Sequence, residues 1–179
     1  SLIYDNIQNM MHRIFIAINL PEEIKNQLAG YQKKIEGLFQ PPAPIRWTKK
    51  DNLHITLEFL GNLSEDEVMK VCRDTEEFAK NHKPFTVTFN KISYGPPKKM
   101  PPRMVWITGE KIIELNLTPH ITLGRIKMWE FRQIEPEEGV AINEDINLSF
   151  EVNSLEVMES QLKKFGPDYT ILGSCPLKN

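Results

Sequence analysis

Strict alternation of apolar and polar residues marks several short segments of this chain, and that period of two is the signature of half-buried β-strands. Residues 13–18 (Arg-Ile-Phe-Ile-Ala-Ile) form a β-rich apolar run suited to a buried strand. Pro21 then opens a helix, with Glu22 and Glu23 in its first turn where the macrodipole favours acids. Ile24, Leu28, Tyr31, Ile35 and Leu38 recur at steps of four and three and mark one helical face; the proline-rich residues 40–44 end it. In residues 53–59 the alternation puts Leu53, Ile55, Leu57 and Phe59 on one face and His54, Thr56 and Glu58 on the other.

Ser64 with Glu67 three residues on predicts a capping box, and the helix it starts turns Val68, Val71, Cys72 and Phe78 inward and ends near Asn81. Phe85, Val87 and Phe89 alternate again. Residues 95–102, with four prolines and two lysines, read as an exposed loop before a strand over 104–108. Residues 118–127 make a further strand, with His120, Thr122 and Gly124 on one face and Ile121 and Leu123 on the other. Residues 135–145 read as a short helix or loop. Leu148, Phe150 and Val152 alternate, residues 155–158 extend that strand or open a neighbouring one, and Phe165-Gly166-Pro167-Asp168 is a turn before a last strand over 169–172. About eight strands with two or three helices predict an α+β fold with antiparallel pairing.

Composition changes this picture little. The 179 residues are 40% apolar and 26% charged, with a formal charge of -2, which is the profile of an ordinary globular domain. Such a charge offers no global footprint for long duplex nucleic acid, although one positive pocket would suffice for a nucleic-acid end. Cys72 and Cys175 are too few for a disulfide scaffold and read as small hydrophobes in a reducing cytoplasm. No apolar run approaches the roughly 20 residues a membrane span needs, so no membrane partner is expected. Residues 1–11 read as a leader or loose tail, and 12–179 as a single two-lobed domain.

The chemistry lies in a repeat. His54-Ile55-Thr56-Leu57 and His120-Ile121-Thr122-Leu123 are identical tetrapeptides 66 positions apart, and both sit in strand-like alternation. Two such copies imply an internal duplication. The copies differ, because only nine residues separate Thr108 from the second histidine strand, too few for the helix found in the first copy. Either the second copy is truncated, leaving one sheet with an uncovered apolar face, or residues are missing near 110–112; the second is the expectation.

Period two places His and Thr side by side on each strand, roughly 6.6 Å apart. One imidazole then serves as general base on a water while the other, protonated, donates to a leaving oxygen; histidine accepts both roles near neutrality. Threonine hydroxyls donate to non-bridging phosphate oxygens without adding charge. The arrangement needs neither metal nor cofactor. As metal ligands the two histidines fall short of the three or four that a zinc site uses, with Glu58 the nearest carboxylate.

With their flanks these residues resemble the two-histidine (2H) phosphoesterase superfamily, in particular its RNA 2',3'-cyclic phosphodiesterase or 2'-5' RNA ligase branch. The resemblance runs from Arg13 onward. It includes Arg46-Trp47 before His54-Ile55-Thr56-Leu57-Glu58-Phe59-Leu60-Gly61, Pro102-Arg103 and Trp106, then Pro119-His120-Ile121-Thr122-Leu123-Gly124-Arg125, and last Glu159-Ser160 and Gly166-Pro167-Asp168-Tyr169. It implies a bilobal α+β fold built by pseudo-two-fold duplication, with antiparallel sheets lining a central cleft and helices outside. It further implies metal-independent hydrolysis of RNA 2',3'-cyclic phosphate ends to 2'-phosphomonoesters, with 2'-5' ligation as a related activity. By position the acid maps onto His54 and the base onto His120, with Thr56, Thr122 and Arg125 binding substrate. The implied partner is an RNA or oligonucleotide end bearing a cyclic phosphate, and no obligate protein partner follows. A non-catalytic module binding RNA ends or nucleotides on the same fold is the alternative.

Other residues divide less cleanly. Strict alternation turns Arg125 away from the face of His120, and a bulge near Gly124 would bring it back. Arg46 and Trp47 are candidates for substrate contact, with packing an equal reading for Trp47. Phe15 is read as core rather than as a base-stacking surface, His12 and His82 as structural, and Lys98, Lys99 and Arg103 as solvated charges on or beside a loop.

Overall fold

The computed structural model describes residues 10–134 and 139–178. Nine strands, three α-helices and one 3-10 turn follow in the order β1 (His12–Asn19), α1 (Glu22–Glu36), β2 (Ile45–Trp47), the turn Lys50–Asn52, β3 (His54–Leu63), α2 (Glu65–Lys80), β4 (Phe85–Gly95), β5 (Met104–Gly109), β6 (His120–Ile126), α3 (Met128–Phe131), β7 (Asn143–Val152), β8 (Ser154–Lys163) and β9 (Gly166–Pro176), counted among the described residues. They form two antiparallel sheets, one of order β3-β1-β8-β9 and one of order β2-β6-β5-β4-β7. The expected α+β class holds, and the chain divides into two compact units with one sheet each.

The first unit holds the chain up to Asn19, Ile55–Thr86 and the part from Glu151. Its helix α2 starts as the Ser64–Glu67 pattern predicts: the Ser64 hydroxyl accepts from the Glu67 N–H and the Glu67 carboxylate accepts from the Ser64 N–H. Val68 packs with Ile14 and Val157, and Leu60, Leu63, Val71 and Cys72 close around them. Two expected core positions are exposed instead. Phe78 lies at the solvent edge stacked on His82, while Thr75 and Ala79 take the buried stripe. Phe59 is exposed because β3 is an edge strand, and the Arg13 guanidinium covers its ring at 4.8 Å. His12 and His82 have structural partners, as expected: His12 Nδ1 lies 2.7 Å from Glu159 Oε1, and His82 Nδ1 donates to the Phe78 carbonyl. Phe15 is buried against Met158 and Tyr169, as a core residue should be. The closing hairpin runs longer than expected. β8 and β9 pair from Ser154↔Pro176 to Lys163↔Gly166, which moves the turn to Lys164–Phe165 and leaves Gly166 at φ +115.

The second unit holds Leu20–His54 and Val87–Phe150. Helix α1 buries Ile24, Leu28 and Ile35, but Gln32 replaces the expected Tyr31 on that stripe and Leu38 lies beyond the helix end, exposed. The core is the face carrying Val87, Phe89, Ile92, Val105, Ile107, Ile121 and Leu123, all essentially inaccessible. In this sheet the apolar face is covered: α1 lies over β6, tied to it through Gln32. The link from β5 to β6 closes as a small loop through an Ile112↔Leu117 bridge, with no helix. Of the segment 135–145 read as helix or loop, residues 135–138 lie outside the described residues and β7 begins at Asn143.

Candidate active site

Both histidines belong to the second unit and both open a strand. His54 follows the 3-10 turn directly, and its Nδ1 lies 2.7 Å from the Asn52 carbonyl. A carbonyl only accepts, so Nδ1 carries the hydrogen in the neutral ring. Burial pushes the proton affinity of His54 below its ordinary value; the Asn52 carbonyl pulls the other way, and the charges of His120 and Lys25 push it further down. His120 is held differently. The Trp106 indole stacks on its ring with centroids 4.0 Å apart and planes 20° off parallel, and burial again lowers its proton affinity. The charge of His120 is among the causes that lower His54, so a protonated His120 disfavours protonation of His54.

The alternation read from the sequence places these side chains as expected. On β6, Ile121 and Leu123 are buried while His120 and Thr122 stay half-exposed. On β3, Ile55 is buried while His54 and Thr56 are half-exposed, with Thr56 already in the first unit. Arg125 required a break in that rhythm, and the break is present. Trp106 pairs with Thr122 and Val105 with Gly124, so β6 carries one extra residue at Leu123–Gly124. The bulge makes two consecutive residues face inward and returns Arg125 to the face of Thr122, where its partner on β5 is Met104.

Gly124 is needed there, since a Cβ would stand 2.6 Å from Ile45 Cγ2 and 2.9 Å from the Trp47 ring. Carbonyls around the bulge find partners outside the β5–β6 ladder. Leu123 O accepts from the Gln32 amide and the Thr48 N–H, both at 2.9 Å, and Thr122 O accepts from the Thr48 hydroxyl at 2.8 Å. This is why Gln32 is buried, and it makes Gln32 and Thr48 positioning residues for the second motif. Trp47 donates to Glu36 Oε2 at 2.6 Å on the helix side of the sheet, so packing is its role. Arg46 faces the other way, opposite Arg125.

Sequence reasoning assigned no role to Trp106, Met104, Gln32, Thr48 or Asn52. Met104 Sδ lies 3.4 Å from Trp106 Nε1 and 3.8 Å from Thr122 Oγ1, linking the stacking residue to the Thr122 hydroxyl. The one available signal was glycine inside a strand, which marks bulges and close approaches. Gly124 makes the bulge, and Gly95 lets the Trp106 indole lie against its backbone, since a Cβ there would come within 2.4 Å of the ring. No group of three or more His, Cys, Asp or Glu side chains with metal-site geometry occurs among the described residues, and no described helix is long and apolar enough to cross a membrane.

The chain is similar to known proteins in both sequence and fold. Residues 18–106 match the model of the LigT like Phosphoesterase family. A protein of Thermotoga maritima named RNA 2',3'-cyclic phosphodiesterase is 27% identical over 186 aligned residues, covering 91% of this chain and 94% of that protein. One of the same name from Methanocaldococcus jannaschii is 25% identical, covering 89% and 98%. Among solved structures, a Thermus thermophilus protein designated TT0787 superposes with a TM-score of 0.77 at 25% identity, covering 92% of this chain and 97% of that one. The Escherichia coli LigT complexed with 3'-AMP gives a TM-score of 0.71 at 25% identity, covering 95% and 100%. A likeness that spans nearly the whole chain, in fold as well as in sequence, makes this protein a member of the LigT-like phosphoesterase family of the 2H superfamily.

Proposed function

We infer that this protein hydrolyses 2',3'-cyclic phosphate ends of RNA to 2'-phosphomonoesters with His54 and His120 as an acid-base pair. The observation that carries this is their asymmetry: His54 has its Nδ1–H tied to a carbonyl, whereas His120 is held by a stacked ring. The Asn52 carbonyl stabilises protonated His54 and fixes the orientation of its ring, which suits the acid. His120, neutral, takes a proton from water as the water oxygen bonds to phosphorus. The P–O3' bond breaks, and the His54 proton goes to O3'. Thr56 and Thr122 donate to the non-bridging oxygens, and Arg125 brings positive charge to the same face of β6. With a 5'-hydroxyl in place of water, the same step forms a 2'-5' linkage. Two unpaired thiols, Cys72 and Cys175, fit a reducing compartment such as the cytoplasm.

The test is product analysis on defined RNAs ending in 2',3'-cyclic phosphate, with EDTA present. Conversion to the 2'-phosphate is expected, with His54→Ala and His120→Ala each lowering kcat by roughly 10²- to 10⁴-fold. Tight binding without turnover would instead make the protein a binding module, and full activity in either variant would overturn the acid-base assignment.

A further inference from the structure

Arg46 on β2 and Arg125 on β6 are Cα partners across an antiparallel pair, with β2 at the sheet edge. Like charges set directly opposite one another destabilise a sheet. Both side chains are exposed, and among the described residues neither has a carboxylate within ion-pair distance. The acid best placed by sequence, Glu36, is engaged on the opposite side of the sheet, where it accepts from Trp47 and from the Ala43 N–H. Among the described residues, then, no carboxylate neutralises either arginine.

The pair is continuous with the catalytic face. The bulge at Leu123–Gly124 puts Arg125 on the side of Thr122 and His120, roughly 7–10 Å along β6 from Thr122. Arg46 stands one strand spacing further out, about 4.8 Å beyond. Arg46 stands a strand further from Thr122 than Arg125 does, so an anion held by both arginines lies outward of the phosphate at the histidines and close enough to belong to the same ligand. We propose that Arg46 and Arg125 form a second anion site, which holds the internucleotide phosphodiester preceding the cyclic phosphate and so favours oligonucleotide ends over free cyclic mononucleotides. Two guanidinium forks suit this ligand because each presents paired donors to phosphate oxygens and keeps its charge whatever the state of the histidines.

This inference rests on the activity proposed above, and its test separates the two. A dinucleotide ending in 2',3'-cyclic phosphate is compared with the matching nucleoside 2',3'-cyclic phosphate by kcat/KM. The natural protein should prefer the dinucleotide by about tenfold, the worth of one charge-assisted contact. Arg46→Gln should bring the ratio close to one and make the salt dependence of the dinucleotide reaction shallower by about 0.7 in log–log slope. Arg46→Lys, which keeps the charge but loses the fork, should fall between. Replacing the internucleotide phosphate by an uncharged methylphosphonate should abolish the preference in the natural protein, with no variant involved. Turnover of both substrates with no preference, or an equal loss on both in Arg46→Gln, would overturn the second site while leaving the hydrolase standing. Turnover of neither substrate would overturn the hydrolase itself.

Discussion

Substituting Gly95 by alanine tests how the second histidine is held. The added methyl would stand 2.4, 2.6 and 2.7 Å from three atoms of the Trp106 ring, where carbon atoms in contact prefer about 3.5–4.0 Å. The indole would have to retreat by about 1 Å or more, and it is already stacked on His120 at 4.0 Å. Either the imidazole moves or the stack breaks. Overpacking of this kind costs about 1–3 kcal/mol, which for a chain of this size lowers Tm by roughly 2–12 °C. A displacement of about 1 Å at a catalytic group lowers kcat by roughly 10²-fold. The assay is a double-mutant cycle with Trp106→Ala, reading Tm and kcat for all four proteins. Removing the indole removes the clash, so Gly95→Ala should cost little in the Trp106→Ala background, and the two effects should be strongly non-additive. Additive effects, or a Gly95→Ala protein with normal Tm and kcat, would refute the account of how His120 is held.

Burial lowers the proton affinity of both histidines below the ordinary 6.5, so the singly protonated pair is most populated below that pH. The kcat/KM profile, which reports the free enzyme, should therefore peak below pH 6.5 and fall through neutrality; a peak above pH 7 would contradict it. For the same reason the unfolded chain binds these protons more readily, and their contribution to stability is present above pH 6.5 and lost as pH falls below it, which acid-side denaturation would reveal as a falling midpoint. Gln32→Leu removes a donor from Leu123 O at the bulge and should cost about 1–3 kcal/mol, read as a lower denaturant midpoint; an unchanged midpoint would remove Gln32 from the support of β6. Thr122→Ala and Thr56→Ala should each lower kcat on a cyclic phosphate by roughly 10²-fold with the fold intact, and a change in Tm without a change in kcat would make them mere strand formers.

Features set by near neighbours in the chain were legible in the sequence. The capping box at Ser64 and Glu67, the His-Thr facing on β3 and β6, and the antiparallel α+β class all depend on residues within four positions of one another, and periodicity reports them directly. The exposure of Phe59 and Phe78 was not legible, because a strand's place at a sheet edge and the reach of a helix over its sheet are set by distant partners. Strand β2 escaped notice for a related reason: three residues are too short to show a period, and only pairing with β6 makes them a strand.

The paired His-Ile-Thr-Leu segments were enough to name two histidines and two threonines, since alternate side chains on a strand share a face whatever surrounds them. Tertiary structure decided what those side chains can do. Cross-strand register created the bulge that returns Arg125 to the face of Thr122 and sets it against Arg46. Chain folding brought the Asn52 carbonyl to one imidazole and the Trp106 ring to the other, and partly buried both. Proton affinity and orientation depend on what lies within a few ångströms in space, and for His120 those neighbours are remote along the chain.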